Sequence, residues 1–117
     1  MEKYGGCSHF YGISGMHNPF LMKGMKEALD RIVKAVNNGE KIVIYGYHDI
    51  DGVTAVSVLL LVLKYLNADV EYFISDKAEG DFYSDSADMR KQFSFLGASL
   101  IITAGCGSNY LSAMKYC

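Results

Sequence analysis

The 117 residues contain no run of lysine or arginine. Eleven basic and 13 acidic residues are dispersed for a net charge of −2. Sequence-independent grip on DNA needs clustered cations against phosphates, so strong binding by this chain alone is not expected. Cysteine is scarce, and Cys7, Cys106 and Cys117 lie far apart with no C-x-x-C spacing. That excludes a disulfide framework and a zinc site and points to a reducing cytoplasm. Cys106, following Gly105, reads as a small buried packing residue more readily than as a nucleophile. Long apolar runs are also missing. The longest stretch, Val53 to Leu63, is interrupted by Thr54 and Ser57 and falls well short of the ~20 residues a bilayer requires. The N-terminus has no apolar signal segment. No membrane partner is expected.

What is present is apolar: half the residues are hydrophobic, enough for a core in one modest domain. A domain this size buries roughly two-thirds of the surface its unfolded chain exposes. The rest of the chain is organised around Lys41 to Leu66. Ile42 to Tyr45 is short, apolar and β-branched, bounded by Asn37-Asn38-Gly39-Glu40 and by Gly46, which predicts a strand buried on both faces. Asp49, Asp51 and Gly52 follow, then a helix over Gly52 to Leu66. Its Val56, Leu59, Leu60, Leu63 and Leu66 are expected to face inward. This helix is apolar nearly all round, which predicts cover on both sides.

A strand, an acidic turn and a helix put both carboxylates at the carboxyl end of a strand, where open parallel sheets bind ligands. If the turn stays extended, Tyr47, Asp49 and Asp51 share one side and His48 points away. Two close carboxylates repel unless a cation lies between them, and oxygen ligands suit Mg²⁺ or Mn²⁺. The plainer alternative is that Asp51 caps the helix and Asp49 is a solvated turn residue. D-x-D-G is too short a pattern to choose. The positive end of the helix beside Asp51 is also a place for phosphate oxygens.

Met1 to Pro19 has no clean period and reads as irregular. Its Tyr4, Phe10 and Tyr11 are assigned to covering the sheet rather than stacking on bases, and His9 and His17 to the surface. Phe20 to Val36 is predicted as a helix. Its apolar stripe of Leu21, Met25, Ala28, Leu29, Ile32, Val33 and Val36 should pack on the sheet. Further on come a strand at Asp69 to Ile74, a polar loop at Ser75 to Ser86 and a helix at Ala87 to Leu96 ended by Gly97. A strand at Ser99 to Thr103 and a short helix at Asn109 to Tyr116 complete the pattern. Strands alternating with helices predict an α/β fold: a three-layer parallel sheet, βαβαβ and Rossmann-like, preceded by an amphipathic helix.

The segment GYHDIDGVTAVSVLLLVLKYL resembles the first motif of the DHH phosphoesterase superfamily, in its RecJ-like branch, where G-D-Y-D-x-D-G-x-T-A precedes an apolar helix. Asn18 to Met25 resembles the lead-in of that branch, and Val70 to Lys77 its second strand and loop. Leu100 to Gly107 is similar to its second motif, usually I-T-x-D-C-G. The resemblance runs from about Asn18 to the C-terminus, so 20–117 is expected to be a truncated RecJ-like DHH domain.

The resemblance implies a third strand on the side of the first strand away from the second, with Asp49 and Asp51 near Gly105 and Cys106. It implies a phosphodiesterase acting on single-stranded DNA with Mn²⁺ or Mg²⁺, and Asp49 and Asp51 as the matched metal ligands. Gly52, Thr54, Gly107 and Ser108 become candidates for phosphate or substrate contact.

The departures are specific. Tyr47 and Gly105 stand where the motifs carry aspartate, Lys77 lies in a poorly matched loop, and the third motif, Asp-His-His, is not in the sequence. His48 points the wrong way to substitute, and a pyrophosphatase-like H-x-D-x-D would need His at 47. The chain alone is therefore expected to be inactive. The alternatives are a non-catalytic, self-associating remnant and a small metal- or nucleotide-binding module. An open apolar edge on the third strand predicts a homo-oligomer, such as a dimer.

Overall fold

The structure, a computed structural model, describes residues 17–74, 91 and 93–105. Its elements are a 3-10 turn at Pro19–Leu21, α1 at Met25–Asn37, β1 at Ile42–Gly46, α2 at Ile50–Tyr65, β2 at Val70–Ile74 and β3 at Leu100–Ala104. The helix expected from Phe20 is two pieces. The Asn18 side chain accepts from Phe20 N–H at 3.0 Å and Pro19 opens the 3-10 turn. Gly24, at φ +81°, then breaks the helical path before α1. A left-handed residue cannot continue a right-handed helix, and glycine adopts it without a Cβ penalty.

The three strands are parallel in the order β2-β1-β3, with Ile42 level with Val70 on one side and Leu100 on the other. The α/β parallel architecture and the position of the third strand are as expected. All five residues of β1 are buried. Successive side chains alternate faces, so Ile42 and Ile44 join Ala35, Val56 and Leu63 beneath the helices. Val43 and Tyr45 point the other way, against Phe93. There the Tyr45 ring stacks on Phe73 at 5.8 Å and meets Phe93 edge-on at 6.0 Å. Each aliphatic side chain removed from water on β1 stabilises the fold by about 1.5–3 kcal/mol.

Two expectations about the helices are corrected. The second helix begins at Ile50, two residues early, and among the described residues it is covered on one side only. Val58, Leu61 and Tyr65 are 61%, 70% and 87% exposed, and Leu66, expected to face inward, is half exposed. A helix apolar all round contains no signal for which face meets the sheet, so proximity to β1 decides it. Nor does the α1 stripe pack wholly on the sheet. Ala35 is buried with Ile32 and Val36 against it, but Leu29 and Val33 line an apolar groove of about 320 Å³ shared with Leu59 and Val62 of α2.

Polar contacts tie down the amino-terminal end of the sheet. Arg31 donates to Glu40 at 2.7 Å and to the Ser99 carbonyl at 3.2 Å. Lys41 donates to Asp69 at 2.9 Å and Glu71 at 2.7 Å. Among the described residues no helix is long and apolar enough to cross a membrane. The segment 1–16 with its aromatics, the expected loop with Lys77, residues 87–90 and 92 of the expected helix before Gly97, and the helix expected at Asn109 to Tyr116 lie outside the described residues.

Candidate functional site

The carboxyl end of β1 is shaped by glycines. A Cβ on Gly46 would collide with Val56 Cγ2, so its absence lets α2 fold back directly over the strand. Beyond Gly46, Tyr47 N–H donates to the Ala104 carbonyl at 3.1 Å, tying the start of the turn to the end of β3. The chain then turns sharply into α2 rather than staying extended. The strand alternation expected to align Tyr47 with Asp49 and Asp51 therefore does not operate. The Tyr47 and His48 rings lie beside each other with centroids 4.4 Å apart.

Asp49 is the N-cap of α2. Its backbone is extended (φ −86°, ψ 172°), its Oδ1 accepts from Gly52 N–H at 2.7 Å, and its carbonyl accepts from Val53 N–H at 3.0 Å. The sequence-based alternative had given the cap to Asp51. Asp51 lies instead in the first helical turn, exposed, where its charge complements the positive end of the helix dipole. The signal was in the sequence: either aspartate is a good cap, and the apolar helical run begins at Ile50, directly after Asp49.

The other candidates are engaged locally. Gly52 is buried with its N–H given to Asp49, and the Thr54 hydroxyl lies within hydrogen-bonding distance of the Ile50 and Asp51 carbonyls, at 2.8 and 3.0 Å. An anion arriving here would meet the capped Gly52 amide and two carboxylates. At the end of β3, Gly105 packs against Gly52, which brings the β3 turn to the acidic turn. Cys106, Gly107 and Ser108 lie outside the described residues.

No three of His, Cys, Asp and Glu gather among the described residues. Mg²⁺ commonly keeps several waters and is held by one or two carboxylates, so Asp49 and Asp51 suit a single hydrated divalent cation. They do not suit a pair of ions, which needs further ligands.

The profile of the DHH family, N-terminal domain, matches residues 41–117. The single-stranded-DNA-specific exonuclease RecJ of Bacillus subtilis (strain 168) is 45% identical over 91 residues, which is 78% of this chain and 12% of the relative. Two solved structures share the fold. RecJ of Thermus thermophilus in complex with Mn²⁺ matches at a TM-score of 0.64 and 25% identity, over 81% of this chain and 13% of that one. An exonuclease RecJ bound to manganese matches at 0.64 and 26%, over 80% and 24%. The chain thus spans a small part of the relatives it resembles. A central strand ending in an acidic turn, the β2-β1-β3 order and a profile match over most of the sequence have one common reading: the chain belongs to the DHH family.

Proposed function

We propose that this chain carries the opening part of a RecJ-like, metal-dependent phosphodiesterase acting on single-stranded DNA, and that it does not turn substrate over by itself. The observation that supports this best is the pair Asp49 and Asp51 at the carboxyl end of the central strand, beside the end of β3 at the topological switch point. Asp51 offers an exposed carboxylate to a Mn²⁺ or Mg²⁺ ion. Asp49 holds the first turn of α2 in place through Oδ1, and with Asp51 it would hold such an ion. Bound there, the ion would supply Lewis-acid polarisation of a phosphoryl oxygen or activation of water. Tyr47 and Gly105 provide no carboxylate where the family motifs have one, which supports the absence of turnover.

A calorimetric Mn²⁺ titration beside Asp51→Asn tests the site. The expected result is saturable binding by the natural sequence, lost in the variant, with no hydrolysis of single-stranded DNA. Flat heats in both proteins would remove the metal reading.

A second reading, a non-catalytic and self-associating member of the family, is favoured by the exposed apolar side of α2. We propose a homo-oligomer formed through the β3 edge, which pairs with no other strand among the described residues beyond β1. The scattered cysteines support a cytoplasmic location.

A further inference from the structure

Gly52 and Gly105 meet back to back. A Cβ on Gly105 would fall 2.9 Å from Gly52 Cα, 3.3 Å from Gly52 N and 3.5 Å from Tyr47 Cβ. The first distance is shorter than a Cβ tolerates, and what it meets is backbone in the first turn of α2 rather than a side-chain tip that could swing aside. Gly52 is equally confined on its other side. A Cβ there would strike the Tyr47 carbonyl oxygen and lie 2.9 Å from Asp49 Oδ1. Gly52 is therefore held between the acidic turn and the end of β3, and its N–H is the one that Asp49 caps. Gly97 provides a contrast. It has a similar left-handed backbone, φ +68° against +76° for Gly105, yet nothing lies within 4 Å of its added Cβ.

We infer that Gly105 is a positioning residue for the acidic turn. By seating the end of β3 on Gly52, it fixes the amide that orients Asp49, and through that cap the direction in which Asp49 and Asp51 present their oxygens. A second consequence follows from the same contact. Position 105 cannot contribute a side-chain ligand unless α2 moves, so the junction between β1 and β3 is closed by backbone contact rather than by a shared cation. The seat stands on geometry alone, while its effect on cation binding rests on the proposed function.

The test compares Gly105→Ala with Gly97→Ala in the full 117-residue chain. Both place alanine in the left-handed region, so that cost is common to the two. Gly105→Ala is expected to shift the amide resonances of Gly52 and of Asp49 to Asp51 and to weaken Mn²⁺ binding at least tenfold. Gly97→Ala should leave both unchanged. Equal Gly52 shifts and equal Mn²⁺ affinity in the two variants would overturn the inference. If the natural sequence binds no Mn²⁺, the metal reading fails separately, and the Gly52 and Asp49 amides still decide whether Gly105 sets the turn. Should Gly105→Ala not fold, a nuclear Overhauser contact between the Gly52 and Gly105 α-protons of the natural sequence decides. Its presence supports the seat and its absence overturns it.

Discussion

Asp49 and Asp51 are two residues apart and occupy different physical situations. Asp49 caps a helix, and removing such a cap costs about 0.5–2 kcal/mol. Asp51 is exposed in the first turn, where losing a favourable charge–dipole term costs about 0.3–1 kcal/mol. Asp49→Ala should therefore lower the melting temperature measured by circular dichroism more than Asp51→Asn does. If the pair shares a cation, both should abolish the Mn²⁺ heat. Equal melting temperatures for the two variants would contradict the assignment of the cap to Asp49. Gly105→Asp provides a complementary case, since it puts back the acid that the family motif carries. The Gly52 backbone obstructs the new Cβ, so this variant should melt lower than the natural sequence and gain no Mn²⁺ affinity.

At the scale of elements, β1 and α2 differ in how much each residue matters. Ile44 is fully buried on β1, whereas Leu61 on α2 is 70% exposed. Ile44→Ala should cost about 2–5 kcal/mol in chemical denaturation, and Leu61→Ala less than about 0.5 kcal/mol in the same experiment. The strand ends make the fold sensitive to pH.

The hydrogen bond from Arg31, helped by one from Asn38 and opposed by desolvation, holds the Glu40 carboxyl below its ordinary value. Its stabilising effect is present above that ordinary value, near 4.5, and fades as pH falls below it. Hydrogen bonds to Glu71 and then Asp69 hold the Lys41 ammonium above its ordinary 10.5. That contribution is present below 10.5 and is lost as pH rises beyond it. Melting temperature against pH should accordingly fall at both ends. Glu40→Gln should make the acid limb shallower and Lys41→Met the alkaline limb, each leaving the opposite limb in place.

For the whole molecule, the outer side of α2 and the groove it shares with α1 are apolar surface that water disfavours. Leu61→Lys, which keeps the core intact, tests whether that surface holds copies together. Light scattering after size exclusion should show an unchanged oligomer if the β3 edge is the interface, and a smaller species if α2 is. The composition and local patterns were sufficient for the parallel α/β sheet, the buried central strand and the location of the acidic turn. Each depends on short-range order: β-branched runs, helical spacing, and turn residues at fixed offsets.

Other features depended on contacts between segments distant in the chain. The split of the first helix at Gly24 and the cap on Asp49 were readable in principle, because glycine and aspartate at those points carry local signals. Which side of α2 is covered was not readable, because an all-apolar helix leaves that choice to its distance from β1. The family resemblance placed Gly105 near the acidic turn, but the direct backbone contact of Gly52 with Gly105 was not readable. Two glycines 53 positions apart by number become neighbours only when β3 pairs with β1. Local sequence thus determined the elements and the candidate ligands, while the tertiary structure alone decided how the turn is held, since backbone contact between remote segments leaves no local pattern.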